Sequence, residues 1–150
     1  VNDIDDNFPT VDSLKIIRPW GYYGYCIPVC VRIYDTTAQT AANYTAPFFI
    51  ADRQYQLIEV FERHEALGTD GGAVTVMLTK VPSGTAPASG TNMLSAGINL
   101  KATANTNQKG TLGTTITSIT LARGDSMALV TTGTLTAVKG VTVAVVLKAN

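Results

Sequence analysis

Apolar and polar side chains alternate along this chain in short runs separated by glycine-, asparagine- and proline-rich breaks, the pattern of half-buried strands. Ile27 to Tyr34 carries Val29, Val31 and Ile33 at period two. Phe48-Phe49-Ile50 leads into a run with Tyr55, Leu57 and Phe61 on one face and Ile58 and Val60 on the other. That run, Arg53 to Leu67, also sets Leu57, Ile58 and Phe61 at helical spacing, but its β-branched and aromatic content favours a strand. Apolar residues on both faces predict a strand inside a sandwich or at a subunit contact. Gly68-Thr69-Asp70-Gly71-Gly72 reads as a turn, after which Val74, Val76 and Leu78 alternate with Thr75, Met77 and Thr79.

Lys80 to Asn92 is rich in Pro, Gly and Ser and reads as a surface loop; Ile98, Leu100 and Ala102 follow at period two. Asn105 to Gly110 is a polar connection, Thr115 to Leu121 a further strand, and Ala122-Arg123-Gly124-Asp125 a turn. Ser126 to Thr131 and Val141 to Leu147 complete the set. Short strands divided by such turns predict an all-β sandwich or barrel. Val141 to Leu147 carries no charge, so its edges are expected to be paired, within the subunit or across an oligomer.

The front of the chain differs. Residues 1–20 read as an arm, acidic at first and then apolar at Leu14-Lys15-Ile16-Ile17-Arg18 before Pro19. Trp20-Gly21-Tyr22-Tyr23-Gly24-Tyr25 is the densest aromatic cluster, and its glycines favour a bend or bulge. Asp35 to Asn43 is a polar link. The expected organisation is residues 1–47 as an N-terminal arm with the first strands and residues 48–150 as a β-sandwich domain. All eleven aromatic residues fall within the first 61 positions, and beyond Ala66 the only acids are Asp70 and Asp125.

Composition narrows the partners. A chain of 150 residues suits one domain with a core that needs neither disulfides nor a structural metal. Eleven bases balance eleven acids and charged residues make up 15%, which argues against nucleic acid or an anionic membrane as partner. No apolar run approaches the ~20 residues that span a bilayer, and the acidic start gives no support to a secretory route.

Candidate chemistry is sparse. Cys26 and Cys30 lie about 13 Å apart along an extended strand, too far for a bridge unless Pro28 bends the segment, and the expectation is two buried thiols without a disulfide. A zinc site would have to recruit His64, the single histidine. Asp52, Glu59, Glu62 and Glu65 are the acids that glycoside hydrolysis would need in a close pair. On a regular strand Glu59 and Glu65 share a face with Phe61 while Glu62 points away, so the four are expected on a solvated surface with Arg53, Arg63 and His64. Asp3, Asp5 and Asp6 with Asn2 and Asn7 resemble the start of a calcium loop, but its twelfth position is Leu14. Arg123-Gly124-Asp125 is ordinary turn chemistry between two apolar runs. No catalytic residue, metal site or cofactor is expected. Trp20, Tyr22, Tyr23 and Tyr25 remain as candidate partner contacts, with packing on the chain's own core as the equal alternative and sugar stacking behind both.

Several segments together resemble one family. They are Asp52-Arg53-Gln54-Tyr55-Gln56-Leu57-Ile58-Glu59-Val60, Gly71-Gly72-Ala73-Val74-Thr75-Val76, Ala86-Pro87-Ala88-Ser89-Gly90 before Met93-Leu94, Leu121 to Leu129, and Thr132-Gly133-Thr134-Leu135-Thr136 before Val141. Over about two thirds of the chain these are similar to small β-sandwich decoration (cement) proteins of tailed-bacteriophage heads. The resemblance implies a single jelly-roll-like β-sandwich, trimeric on the outer surface of the capsid, bridging neighbouring major-capsid subunits. Its implied partners are the major capsid protein and itself as a homotrimer. The front segment has no counterpart in the resemblance. The alternative reading is a tail-fibre or baseplate domain that binds host glycan.

Overall fold

Each alternating run sends one row of side chains into a shared interior, and two antiparallel sheets form around it. The computed structural model describes residues 26–34 and 45–150. In chain order its strands are β1 (Cys26–Ile33), β2 (Thr45–Ile50), β3 (Tyr55–Arg63), β4 (Thr75–Val81), β5 (Thr91–Asn92), β6 (Ile98–Asn99), β7 (Gln108–Lys109), β8 (Thr120–Leu121), β9 (Ser126–Thr132) and β10 (Val141–Ala149). The first sheet runs β1-β10-β3, with β7 and β8 both paired to the far edge of β3. The second runs β2-β9-β4, with β5 and β6 both on the far edge of β4. β1 to β4 alternate between the two sheets, β5 and β6 add to the second and β7 and β8 to the first, and the chain returns through β9 in the second to β10 in the first, which is the jelly-roll arrangement of an all-β sandwich.

The uncharged run at the end of the chain lies in β10, between β1 and β3, so both its edges are paired within the subunit. The opposite boundary of the sandwich is formed by β1 and β2, which each hold a proline, Pro28 and Pro47. A proline lacks the amide that would extend a ladder, so it suits an edge. β2 is further broken by an irregularity between Pro47 and Phe49.

The core is aliphatic. Leu57, Val60, Val143, Val145 and Leu147 come from the first sheet and Val76, Leu78, Met127 and Leu129 from the second. Connections add Met93, Leu100, Leu135 and Val138. The Phe49 ring meets Tyr55 edge-on at 5.6 Å. The two outer faces differ. On the second sheet the outward-facing Thr79 and Ala128 are buried, because the loop through Pro87–Ser89 folds over them and Thr79 Oγ1 donates to Pro87 O at 3.3 Å. On the first sheet the outward residues of β1 stand exposed.

Three sequence expectations give way. Of Thr115 to Leu121 only Thr120–Leu121 is a strand; the Ser118 amide and hydroxyl both donate to Thr115 O (3.1 and 2.7 Å), and Thr120 Oγ1 donates to Ile116 O at 2.7 Å. Hydroxyls that bond to nearby backbone give the chain an alternative to a ladder. The run from Ile98 likewise stops at Asn99, whose side-chain oxygen accepts from Lys101 N at 2.9 Å. Third, β3 does not alternate regularly: a bulge lies where Leu57 pairs with Leu147 and Glu59 with Val146, leaving Ile58 as the extra residue. Beyond it the faces are exchanged. Val60 is therefore buried with Tyr55 and Leu57, and Phe61 points outward.

Candidate partner interface

Trp20, Tyr22, Tyr23 and Tyr25 lie outside the described residues, as does the acidic start of the chain. The other predicted residues separate into a buried polar cluster and an exposed sheet face.

The bulge at Ile58 carries Glu62 and His64 into the interior, where they are 1% and 0% exposed. This corrects the expectation that both lie on a solvated surface. His64 Nε2 is 3.0 Å from Ala102 O, a group that can only accept, so this nitrogen carries a hydrogen. His64 Nδ1 is 3.0 Å from Glu62 Oε1, and a single proton serves that contact. Glu62 Oε2 accepts from Gln108 Nε2 at 2.7 Å, and the same amide nitrogen donates to Asn99 O at 2.8 Å. Burial pushes the Glu62 carboxyl above its ordinary range, against the opposing pull of His64 and Gln108. One proton therefore bridges the pair, held either on Glu62 beside a neutral imidazole or on His64 beside a carboxylate. The cluster ties β3 to the segment around 99–108.

The remaining acids are at the surface. Glu59 and Glu65 do share the outward face with Phe61, and each pairs with a base: Glu59 with Lys109 at 2.7 Å, Glu65 with Arg32 at 2.5 Å. Asp52 accepts from the Tyr55 hydroxyl at 2.6 Å and from Arg53, and these bonds hold its carboxyl below the usual range. Asp125 belongs to its own turn, its carboxylate accepting from Ala122 N at 2.9 Å while Gly124 takes a φ of 89°. The described residues contain no group of three metal-ligating side chains. A cleft between 96–99 and 108–111 holds about 200 Å³, below the roughly 300–1,000 Å³ of small-molecule sites.

Cys26 and Cys30 form no disulfide, and contrary to the expectation of burial both are exposed. They alternate with Ile27 and Val29, which pack on the core, so the thiols point outward from β1. Register extends them into rows across the sheet. Cys30 lies beside Ala144 and Phe61, then Lys109; Pro28 lies beside Val146 and the bulged Ile58–Glu59 pair. These two rows make an apolar centre on the outer face. Arg32, Thr142 and Arg63 border it on one side, Lys148 and Gln56 on the other, with Lys109 at its end and its ammonium 5.6 Å from the Phe61 ring. Arg63 and Lys148 have no ion-pair partner among the described residues. Such a face, apolar within and basic at the rim, has the anatomy of a protein contact.

No protein-family model matches the chain, and no curated protein is similar to it in sequence. Its fold is found in virus particles. A chain in the capsid asymmetric unit of cyanophage Pam1 superposes with a TM-score of 0.53 at 14% identity, over 87% of this chain and 89% of that one. A chain in the capsid of Ralstonia phage GP4 does so with the same score and identity, over 85% and 86%. Coverage that is nearly equal in both directions means that the matched chains are of nearly this length, and the likeness shows a shared jelly-roll fold.

Proposed function

We propose that this chain is a structural virion protein, a decoration or cement protein on the outer surface of a phage capsid, where it bridges neighbouring major-capsid subunits as a homotrimer. The observation that carries this reading is the fold shared, over most of its length, with chains of similar size in two phage capsids. The partly exposed apolar face of the first sheet supports it, since such a face is suited to holding a neighbour. Glu62 and His64 are buried and bonded to one another, which suits a structural role for the pair. The aromatic cluster Trp20, Tyr22, Tyr23 and Tyr25 is the proposed partner contact, as Tyr and Trp concentrate binding energy at protein contacts. Stabilisation would come by mass action: a protein that binds the assembled shell and not its parts shifts the equilibrium towards the shell, and repetition over the lattice multiplies the effect.

Gold-labelled antibody on intact particles tests the placement. The expected result is label distributed evenly over the head. Label confined to the tail would overturn the reading in favour of a tail-fibre or baseplate domain.

A further inference from the structure

A three-fold assembly cannot be built from one self-complementary patch. A patch that meets its own copy closes a two-fold pair, whereas a ring needs two different surfaces joined head to tail. The chain carries two surfaces of opposite character. The first is the outer face of the first sheet, with Cys30, Ala144, Phe61, Pro28 and Val146 at its centre and Arg63 and Lys148 unpaired at its rim. The second is the N-terminal segment. Residues 1–25 hold Asp3, Asp5, Asp6 and Asp12, with no base before Lys15, and end in Trp20-Gly21-Tyr22-Tyr23-Gly24-Tyr25.

The neutral net charge of the whole chain conceals this division. Residues 1–25 carry four acids against two bases, a net of −2, while the described residues carry nine bases against six acids, a net of +3. Each surface thus offers what the other lacks: acids for the arginine and lysine, aromatic rings for the apolar centre. Twenty-five residues can reach up to about 80 Å, roughly twice the 40 Å diameter of a body of this size. The segment joins β1 at Cys26, a corner of the same face.

We propose that the outer face of the β1-β10-β3 sheet binds residues 1–25 of a second copy of this chain, so that each copy in a ring gives its segment to the next. This rests on the trimeric reading above and specifies its contact. Self-association is then driven by the apolar centre and steered by charge, and it weakens as salt screens the rim.

The test is sedimentation velocity on the full chain at low ionic strength. The wild type is expected to associate. Arg63→Glu with Lys148→Glu, both at the exposed rim, should weaken association by roughly tenfold, and so should Asp3→Lys, Asp5→Lys, Asp6→Lys and Asp12→Lys in an otherwise wild-type chain. Mixing the two variants should recover association in part, because the lysine segment of one then meets the glutamate rim of the other at two of the three contacts of a mixed ring. A wild type that stays monomeric overturns the proposal, as does association unaffected by either set of changes. Failure of the mixed, folded variants to recover overturns it too, and points to a chain that holds its own segment. Head labelling separates these failures from failure of the decoration reading: a monomer that still labels heads removes the ring contact alone, and a ring absent from heads removes decoration alone.

Discussion

Replacing Glu62 tests where the buried proton lies. Glu62→Gln reproduces the protonated acid in shape and bonding: the amide NH₂ can donate to His64 Nδ1, and the amide oxygen can accept from Gln108 Nε2. With the proton on Glu62, the substitution should cost less than about 1 kcal/mol. Glu62→Ala removes both bonds. Gln108 keeps Asn99 O at 2.8 Å, so its loss is small, but His64 Nδ1 is left buried without a partner. That orphan costs roughly 1–3 kcal/mol, and loss of one buried methylene adds about 0.8. The expected total is about 2–4 kcal/mol, a large share of the ~5–15 that holds a domain folded. Urea unfolding followed by circular dichroism gives both values. Loss of comparable size in the two variants would refute the neutral pair, because only an imidazolium would turn the amide into a mismatched donor. The pH dependence is a second check. A carboxyl raised in the folded state favours folding below the ordinary value of 4.5 and loses that advantage as pH rises towards its folded value. Wild type should therefore lose stability relative to Glu62→Gln above pH 4.5, by up to about 1.4 kcal/mol per pH unit.

Two further outcomes are expected. Gly133 has a φ of +86°, and a Cβ there would fall 2.0 Å from Ala73 O; Gly133→Ala should cost roughly 3 kcal/mol or more, read as a lowered thermal midpoint, and an unchanged midpoint would mean the backbone shifts freely. Trp20→Ala and Tyr23→Ala should each weaken attachment to heads by roughly 2 kcal/mol in a quantitative binding assay without altering the melt; attachment at wild-type strength would remove them from the interface.

What the sequence disclosed follows from how local each feature is. β1, β4, β9 and β10 are visible because alternation of valine, leucine and threonine is a property of neighbouring residues. The central place of β10 is readable from its missing charge. The bulge at Ile58 has no local mark. It is set by the register between β3 and β10, nearly 90 residues apart, and it exchanges every face beyond it. For that one reason Val60, Phe61, Glu62 and His64 each lie on the face opposite to the one regular alternation predicts, and with them the cluster that Gln108 completes. Val60, Glu62 and His64 at period two are the trace it leaves, but a polar pair on a strand reads as surface until its partners from the 99–108 segment are seen. Thr115 to Ile119 misled in another way: its composition suits a strand, and hydroxyl bonds to nearby carbonyls close it into turns. The exposure of Cys26 and Cys30 depends on nothing but parity, since Ile27 and Val29 face the core.

The order of strands in the first sheet also constrains when the protein can come into being. β1 waits beside an empty place until β10 arrives: Cys26 pairs with Lys148, 122 positions further along the chain. During synthesis the first strand leaves the ribosome long before its neighbour is made, and pairing over such separations is slow even in a finished chain. The outer face centred on Ala144, Val146 and Phe61 does not exist in any shorter nascent chain. A subunit that recognises its neighbours through that face cannot begin to assemble before translation has passed Ala149, so the topology itself orders folding ahead of assembly.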